Sequence, residues 1–426
     1  MLNENGIREL AYVARIDDIK PIEGRDKVEC AVVGGWTIMV RKGQFKVGDL
    51  GIYFEIDSKT PETQPFEFLA GKHYKIKTQG YAIKNAEGET VGKFYSQGLL
   101  MSAEDFGGIC YQDGDGQMYL HFGKDSYFGE NVDMPVGTFL TQKLGVTYAV
   151  EEDNKRKANK NPDAKINSAL ARHPKIAKKY GKFIKKNKIA RFIFLALFGK
   201  KRDSRSWIEG VPKTDEERIE NRAWTLEGHD AKWVATEKID GTSTTFYLSR
   251  GRGLKRGEYL VCSRNVVFDT PARAEKNFYA DMIDGNVYIK MSEKYKMREA
   301  LEQLLADRPS ADWVAVQAET FGQSIQKRDY GMKTHEIRAF NLLYSDCGRV
   351  GTLEMRDTLE PLGVPCVPII SEGMTLPGTI EELRAFVHSA PSAIDGGMKE
   401  GIVFRALDGK DSFKCVDPEF LLKYHQ

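Results

Sequence analysis

In Glu237-Lys238-Ile239-Asp240-Gly241 a lysine stands two residues before a carboxylate and three before a glycine. An amine can attack phosphorus and hold it covalently, but only as the free base. Lysine ordinarily titrates near ~10.4, so such chemistry needs neighbouring cations or a metal ion to release the proton. Residues 233–236 run into the lysine as a predicted strand. The β-branched and aromatic residues 242–248 resume as another after Gly241. Taken alone, K-x-D-G equally fits a solvated Lys–Asp pair beside a hairpin turn.

The elements that follow keep a definite order. Ser263-Arg264-Asn265 closes a predicted strand over 259–262. A buried strand over 313–320 carries Glu319, and a strand over 337–343 carries Phe340 and Asn341. Lys399-Glu400-Gly401 opens a strand running to 404, and Ser412-Phe413-Lys414 is a last short one. This series resembles, in order, the six nucleotidyltransferase motifs of covalent ligases and capping enzymes. V-A-T-E-K-I-D-G-T-S, with S-R-N and K-E-G-I-V-F, is most similar to the ATP-dependent RNA ligases, over roughly residues 203–426.

The resemblance implies a fold of ATP-grasp-like antiparallel sheets with helices, and it implies roles. Lys238 would attack the α-phosphorus of ATP and expel pyrophosphate, with Lys414 a point charge on the α-phosphate whose proximity depresses the pKa of Lys238. Asp240, Glu319 and Glu400 would bind Mg²⁺ or Mn²⁺, which prefer hard oxygen donors. Glu237, Gly241, Arg264, Glu319 and Phe340 would complete the nucleotide site. Within it Glu319 would accept from ribose hydroxyls, Phe340 would stack on adenine and Arg264 would hold ribose or phosphate. Lys238, Asp240, Glu400 and Lys414 are the expected catalytic set.

Two departures qualify the likeness. DNA ligases and capping enzymes usually carry an arginine two residues after the motif glycine, where this chain has Ser243. The last motif often has two lysines spaced by one residue, whereas Val416 follows Lys414 at that spacing; Lys423 is the candidate substitute.

The remainder of the chain sets the frame. Its 426 residues suit two or three domains. Six cysteines occur without C-x-x-C pairs and seven histidines without H-E-x-x-H, which argues against a zinc ribbon or disulfide framework and for a reduced, cytoplasmic setting. No apolar leader is evident. Residues 1–150 read as all-β, with short strands and glycine turns suggesting a small barrel. G-W-T-I-M-V-R-K-G-Q-F-K-V-G-D-L-G-I-Y-F-E-I-D with S-Q-G-L-L-M resembles the OB-like domain of one RNA ligase branch, family five; residues 105–133 are expected as a surface insertion.

Residues 151–202 read as a basic helical linker: 155–202 hold seventeen Lys or Arg against one Asp. Ile166, Leu170, Ala177, Tyr180 and Ile184 fall near helical spacing, and the apolar run 189–198 is too short to span a bilayer. The segment could pack on the transferase domain, track a phosphate backbone or lie on a membrane surface. Thr214 with Glu217 predicts a capping box that opens a helix, with Lys213 and Arg218 candidates for pyrophosphate or nucleic acid. Helices are also expected over 290–305 and 380–388.

The whole reads as an α+β chain: an OB-like β-barrel, the linker, and an adenylyltransferase domain over 203–426. The expected activity joins RNA ends through lysyl-AMP and an adenylylated 5′ end, sealing nicked duplexes with RNA at the 3′-OH side in RNA repair. A monomer with no membrane partner is expected. A DNA ligase, a GTP-dependent capping enzyme and a non-catalytic RNA-binding protein are the alternatives.

Overall fold

The computed structural model describes residues 8–85, 88–149, 166, 170, 173–198, 207–227, 231–251, 257–264, 267–268, 286–407, 409 and 411–425. Asn265 and about half of the 151–202 linker lie outside these.

The amino-terminal part is β-rich. Ala11–Arg15, Leu50–Phe54 and Leu99–Met101 form one antiparallel sheet, and Asp18–Ile22, Arg25–Val33 and Trp36–Arg41 another. Among the described residues these are separate three-stranded sheets, without the hydrogen-bonded closure of a complete barrel. Alternation splits the side chains: Val13, Ile52 and Phe54 enter one core, while Tyr12, Ala14 and Tyr53 face another with Trp36 and Ile38.

The segment expected as a surface insertion is built into the first core instead. Gly108–Gln112, Met118–Phe122 and Val132–Pro135 form an antiparallel meander. Its Leu120, Phe122 and Met134 are buried with Phe54 and Phe66. Burying these apolar side chains is what draws it inward.

The carboxy-terminal part holds two antiparallel sheets. Four strands run in the order Ile369–Met374, Trp233–Lys238, Gly401–Ala406, Ser412–Val416. Six run in the order Val267–Phe268, Glu258–Ser263, Thr242–Ser249, Trp313–Gly322, His335–Tyr344, Gly348–Arg349. Phe246, Val314 and Val316 pack beneath helices Met297–Asp307 and Thr352–Leu359, while Tyr247 and Ala315 face Ile208 and Val211 across the sheet. Helix Ile380–Ser389, capped by Thr379, covers the four-stranded sheet through Leu383 and Val387. The helix expected over 290–305 is two, Val287–Lys294 and Met297–Asp307, parted at Lys296, whose φ of 48° is left-handed.

The capping box at Thr214 does not form. Residues 212–217 are non-helical, and the first helical turns, a 3₁₀ stretch, are Ile219–Leu226 after Arg218. Partners elsewhere capture the side chains. Thr214 Oγ1 shares a hydrogen bond with Ser243 Oγ (2.7 Å), and Glu217 Oε1 accepts from the Arg218 amide and Asn221 Nδ2, both at 2.9 Å.

In the basic segment, helices Pro174–Lys186 and Lys188–Phe198 pack on one another around Ile184 and Phe194, joined by Ile166 and Leu170. Tyr180, expected on the apolar face, is exposed, as are Phe183, Ile189, Phe192, Ile193 and Leu197. No helix among the described residues is long and apolar enough to cross a membrane.

Candidate active site

The strands on either side of Gly241 do not pair as a hairpin: Trp233–Lys238 belongs to the four-stranded sheet and Thr242–Ser249 to the six-stranded one. Ile239, Asp240 and Gly241 carry the chain across. A Cβ on Gly241 would sit 2.4 Å from the Thr320 carbonyl oxygen, so only glycine permits this crossing. The Asp240 amide donates to Tyr330 Oη at 2.7 Å, and Gln326 Nε2 donates to the Gly241 carbonyl at 2.9 Å.

Register brings distant residues to this crossing. Lys238 lies opposite Gly401, and Glu400 in the preceding position reaches Lys238 Nζ at 2.7 Å. On the far edge of that strand, Val403 lies opposite Lys414. From the other sheet, Glu319 is in register with Ser243. Lys238 thus faces Glu400, Glu319 and Asp240. Burial opposes its charge, but the three carboxylates outweigh burial and its pKa is raised. The net shift is therefore upward, against the expected depression by Lys414. Glu319 is pushed up to about 8, by burial first and then by Glu400 and Asp240, with Lys238 opposing.

Lys414 turns to a second cluster. Its Nζ lies 2.8 Å from Asp215 Oδ1, while Asp215 Oδ2 receives Arg264 Nη2 at 3.1 Å and Arg8 Nη2 at 3.2 Å. Burial opposes the charge on Asp215, yet these cations hold its carboxyl well below the usual range. Lys414 is lowered to about 8 by burial, with Asp215 resisting and Arg8, Arg218 and Lys238 adding to the fall. The next residue, Glu216, accepts from Arg405 Nη2 at 3.0 Å and from Ser412 Oγ at 2.5 Å.

The remaining candidates divide. Glu237 points away from Lys238, as adjacent strand residues must, and accepts from Ser392 Oγ and the Ala393 amide. Phe340 packs, partly buried, with Ile239, Phe321, Tyr330 and Val367. Arg264 is half-exposed and engaged with Asp215. Arg218 is buried, paired with Asp57 at 3.3 Å, and Lys213 lies 5.8 Å from the Trp207 ring centroid. Lys423 is exposed over Tyr424, whereas Val416 is buried with Tyr12 and Tyr53 of the amino-terminal part. An apolar side chain at 416 suits that packing.

Asp215, Arg8, Tyr330 and His425 were not singled out by sequence. His425 Nε2 lies 3.5 Å from Asp240 Oδ1; burial lowers its pKa, but Asp240 and Glu400 raise it overall. Asp215 lies between Thr214 and Glu217, the pair whose spacing reads as a helix cap. Nothing local marks His425 or Tyr330. Among the described residues no three or more His, Cys, Asp or Glu side chains are disposed to hold a metal ion together. Asp240 Oδ2, however, is buried without a hydrogen-bond partner.

Residues 10–103 match the model of an OB-fold domain, and residues 231–425 match the RNA ligase family. No curated protein matches the sequence at a significant level. Among solved structures the chain is similar to an RNA ligase of Naegleria gruberi with pyrophosphate, at 23% identity and a TM-score of 0.64, covering 98% of this chain and 99% of that one. A variant of that ligase with ATP and Mn, at 24% identity and TM-score 0.64, is covered completely by 98% of this chain. Residues 231–425 thus carry an RNA ligase domain, with an OB-fold domain over residues 10–103 in front of it.

Proposed function

We propose that the enzyme joins a 3′-OH RNA end to a 5′-phosphate end through a covalent lysyl-AMP on Lys238, using ATP and Mg²⁺ or Mn²⁺. What supports this most is the position of the Lys238 amine, on the crossing between two sheets, with carboxylates on one side and the Lys414–Asp215 cluster on the other. In step one Lys238 Nζ gives up its proton and bonds the α-phosphorus as the bond to pyrophosphate breaks, leaving a phosphoramidate. Step two passes AMP to a 5′-phosphate, and in step three a 3′-hydroxyl displaces AMP.

Glu400 holds the ammonium in place before the reaction and is the nearest acceptor for its proton. Lys414 would face the α-phosphate as its pairing with Asp215 is exchanged. Arg264 would meet ribose or phosphate, Glu319 the ribose hydroxyls and Phe340 the adenine, with Gly241 leaving room for close approach. Glu237 would contribute through the backbone it anchors. A divalent cation suits this site when shared with the nucleotide: Asp240, with its unpartnered Oδ2, Glu319 and Glu400 would hold it together with phosphate oxygens and water. Bound there it would neutralise the triphosphate.

We take residues 1–150 as the OB-fold domain, 151–202 as a basic linker available to a phosphate backbone, and 203–426 as the adenylyltransferase domain of a monomeric, cytoplasmic enzyme of RNA repair. The preferred substrate is a nicked duplex with RNA at the 3′-OH side.

Lys238→Ala is expected to abolish transfer of label from α-labelled ATP to protein while melting like wild type. Labelling of the variant at the wild-type level rules out Lys238 as the nucleophile. Nicks with each combination of RNA and DNA ends test the substrate: sealing should require RNA at the 3′-OH side, and equal sealing of an all-DNA nick would overturn that preference.

A further inference from the structure

Asp215 lies in the non-helical run between Val211 and Arg218, and three cations from separate parts of the chain end on its two oxygens. Arg8 precedes the first strand of the OB-fold domain and is also held by Glu55 Oε2 at 3.3 Å. Arg264 follows strand Glu258–Ser263, and Lys414 lies within Ser412–Val416. Asp215, Lys414 and Arg8 are each less than one-fifth exposed. With Glu55 also on Arg8, two carboxylates meet three cations, which leaves a smaller excess of positive charge in a poorly solvated cluster. Charges there interact more strongly than at an open surface.

Such an excess has two readings. A structural clamp would be complete with its carboxylate. An anion site would hold that carboxylate only until a stronger anion arrived. The carboxylate offers two oxygens at hydrogen-bonding distance from Lys and Arg donors, which is also how phosphate is bound. The cluster adjoins the Lys238 crossing: Lys414 is across Val403 from Thr236, two residues before Lys238. A buried structural clamp gains nothing from recruiting a third, half-exposed arginine such as Arg264. A phosphate-binding pocket does.

Resting on the function proposed above, we infer that Asp215 is an intramolecular stand-in for a substrate phosphate. It gathers Lys414, Arg264 and Arg8 and competes with the di- or triphosphate chain for them. Asp215 is then a positioning residue: it touches no reacting atom. Its negative charge sets how tightly the site binds phosphate, and its departure frees Lys414 to face the α-phosphate. Nucleotide binding thereby exchanges one anion for another without stranding buried cations.

The test is titration of pyrophosphate with Mg²⁺ into the full-length enzyme by calorimetry, which reads binding without chemistry. Asp215→Asn keeps the shape and removes the competitor, so pyrophosphate should bind roughly fivefold to tenfold more tightly, with a steeper loss of affinity as salt rises. Asp215→Glu, which retains the charge, should stay within about twofold of wild type. If Asp215→Asn fails to fold because its cations are stranded, the comparison moves to Arg8→Gln against Arg8→Gln with Asp215→Asn, where the same tightening is expected. Unchanged or weaker pyrophosphate binding on removal of the Asp215 charge overturns the inference and makes the residue a clamp. The lysyl-AMP assay on Lys238 is separate, so failure of either conclusion is visible without the other.

Discussion

Around Lys238 one ammonium faces three carboxylates, and around Asp215 one carboxylate faces three cations. The two clusters share neighbouring strands, and both central lysines are largely buried, yet the lysines respond in opposite directions. Lys238 is raised because its carboxylates outweigh burial; Lys414 falls to about 8 because Asp215 does not. Residue type and burial alone therefore do not fix the state of an amine; the sign of the charges in excess does. On the proposed function, the acidic cluster would meet the cation of a metal–nucleotide complex and the basic one a phosphate.

The comparison can be broken most forcefully on the acidic side. Glu400→Ala is expected to cut adenylylation of Lys238 by about 10² while shifting melting little, in line with losses at metal-linked carboxylates. Undiminished labelling would remove Glu400 from the chemistry.

The opposite imbalances also predict opposite pH signatures in stability. Glu319 has its folded pKa raised to about 8, so the folded state binds more protons than the unfolded chain between the two pKa values, and stability falls as pH rises through that window. Glu319→Gln should therefore melt several degrees higher than wild type at pH 8 and gain little at pH 4. Asp215 is held low, so its contribution is present above the unfolded carboxylate pKa and is lost as pH falls toward the folded value. Asp215→Asn should be less stable than wild type at pH 7, the gap narrowing below about pH 4. Melting curves across pH check both; the same sign for the two variants would discard the contrast.

The smallest effect concerns the tie between the clusters. Thr214 Oγ1 meets Ser243 Oγ, joining the residue before Asp215 to the residue in register with Glu319. Thr214→Val is expected to cost about 0.5–1.5 kcal/mol in denaturant unfolding and to leave labelling within about twofold. A tenfold fall in labelling would mean that this tie sets the geometry of the reaction.

Much of the catalytic part was legible because its strands are short, apolar and set off by glycine: 233–236, 242–248, 313–320 and 337–343 all lie within observed strands. Lys238, Glu400 and Lys414 could be placed because each sits at or near a strand end in a fixed order. The electrostatics could not. The partners of Asp215 lie 207 and 199 residues away, at Arg8 and Lys414, and a local reading spent the same run of acids on a helix cap. The sign of the Lys238 shift failed for the same reason. Its governing neighbours Glu319 and Glu400 arrive from two strands of different sheets, so their combined charge has no counterpart in spacing. The segment 105–133 reads as a surface insertion because its apolar residues are interspersed with Gly, Asp and Tyr; only Phe106, Leu120 and Phe122 are buried, and they anchor it on the core.

The crossing at Gly241 leaves the Lys238 amine and the carboxylate of Glu319 on two bodies with separate cores, joined by backbone links and by Ile239 packing on Phe321 and Tyr330. Their spacing is accordingly a property of how the two bodies seat against each other, like the gap of a caliper set by its frame. Substitutions deep beneath either sheet, remote from any reacting atom, can open or close that gap by fractions of an ångström. Tuning of the enzyme's rate is thus available to residues that never meet its substrates.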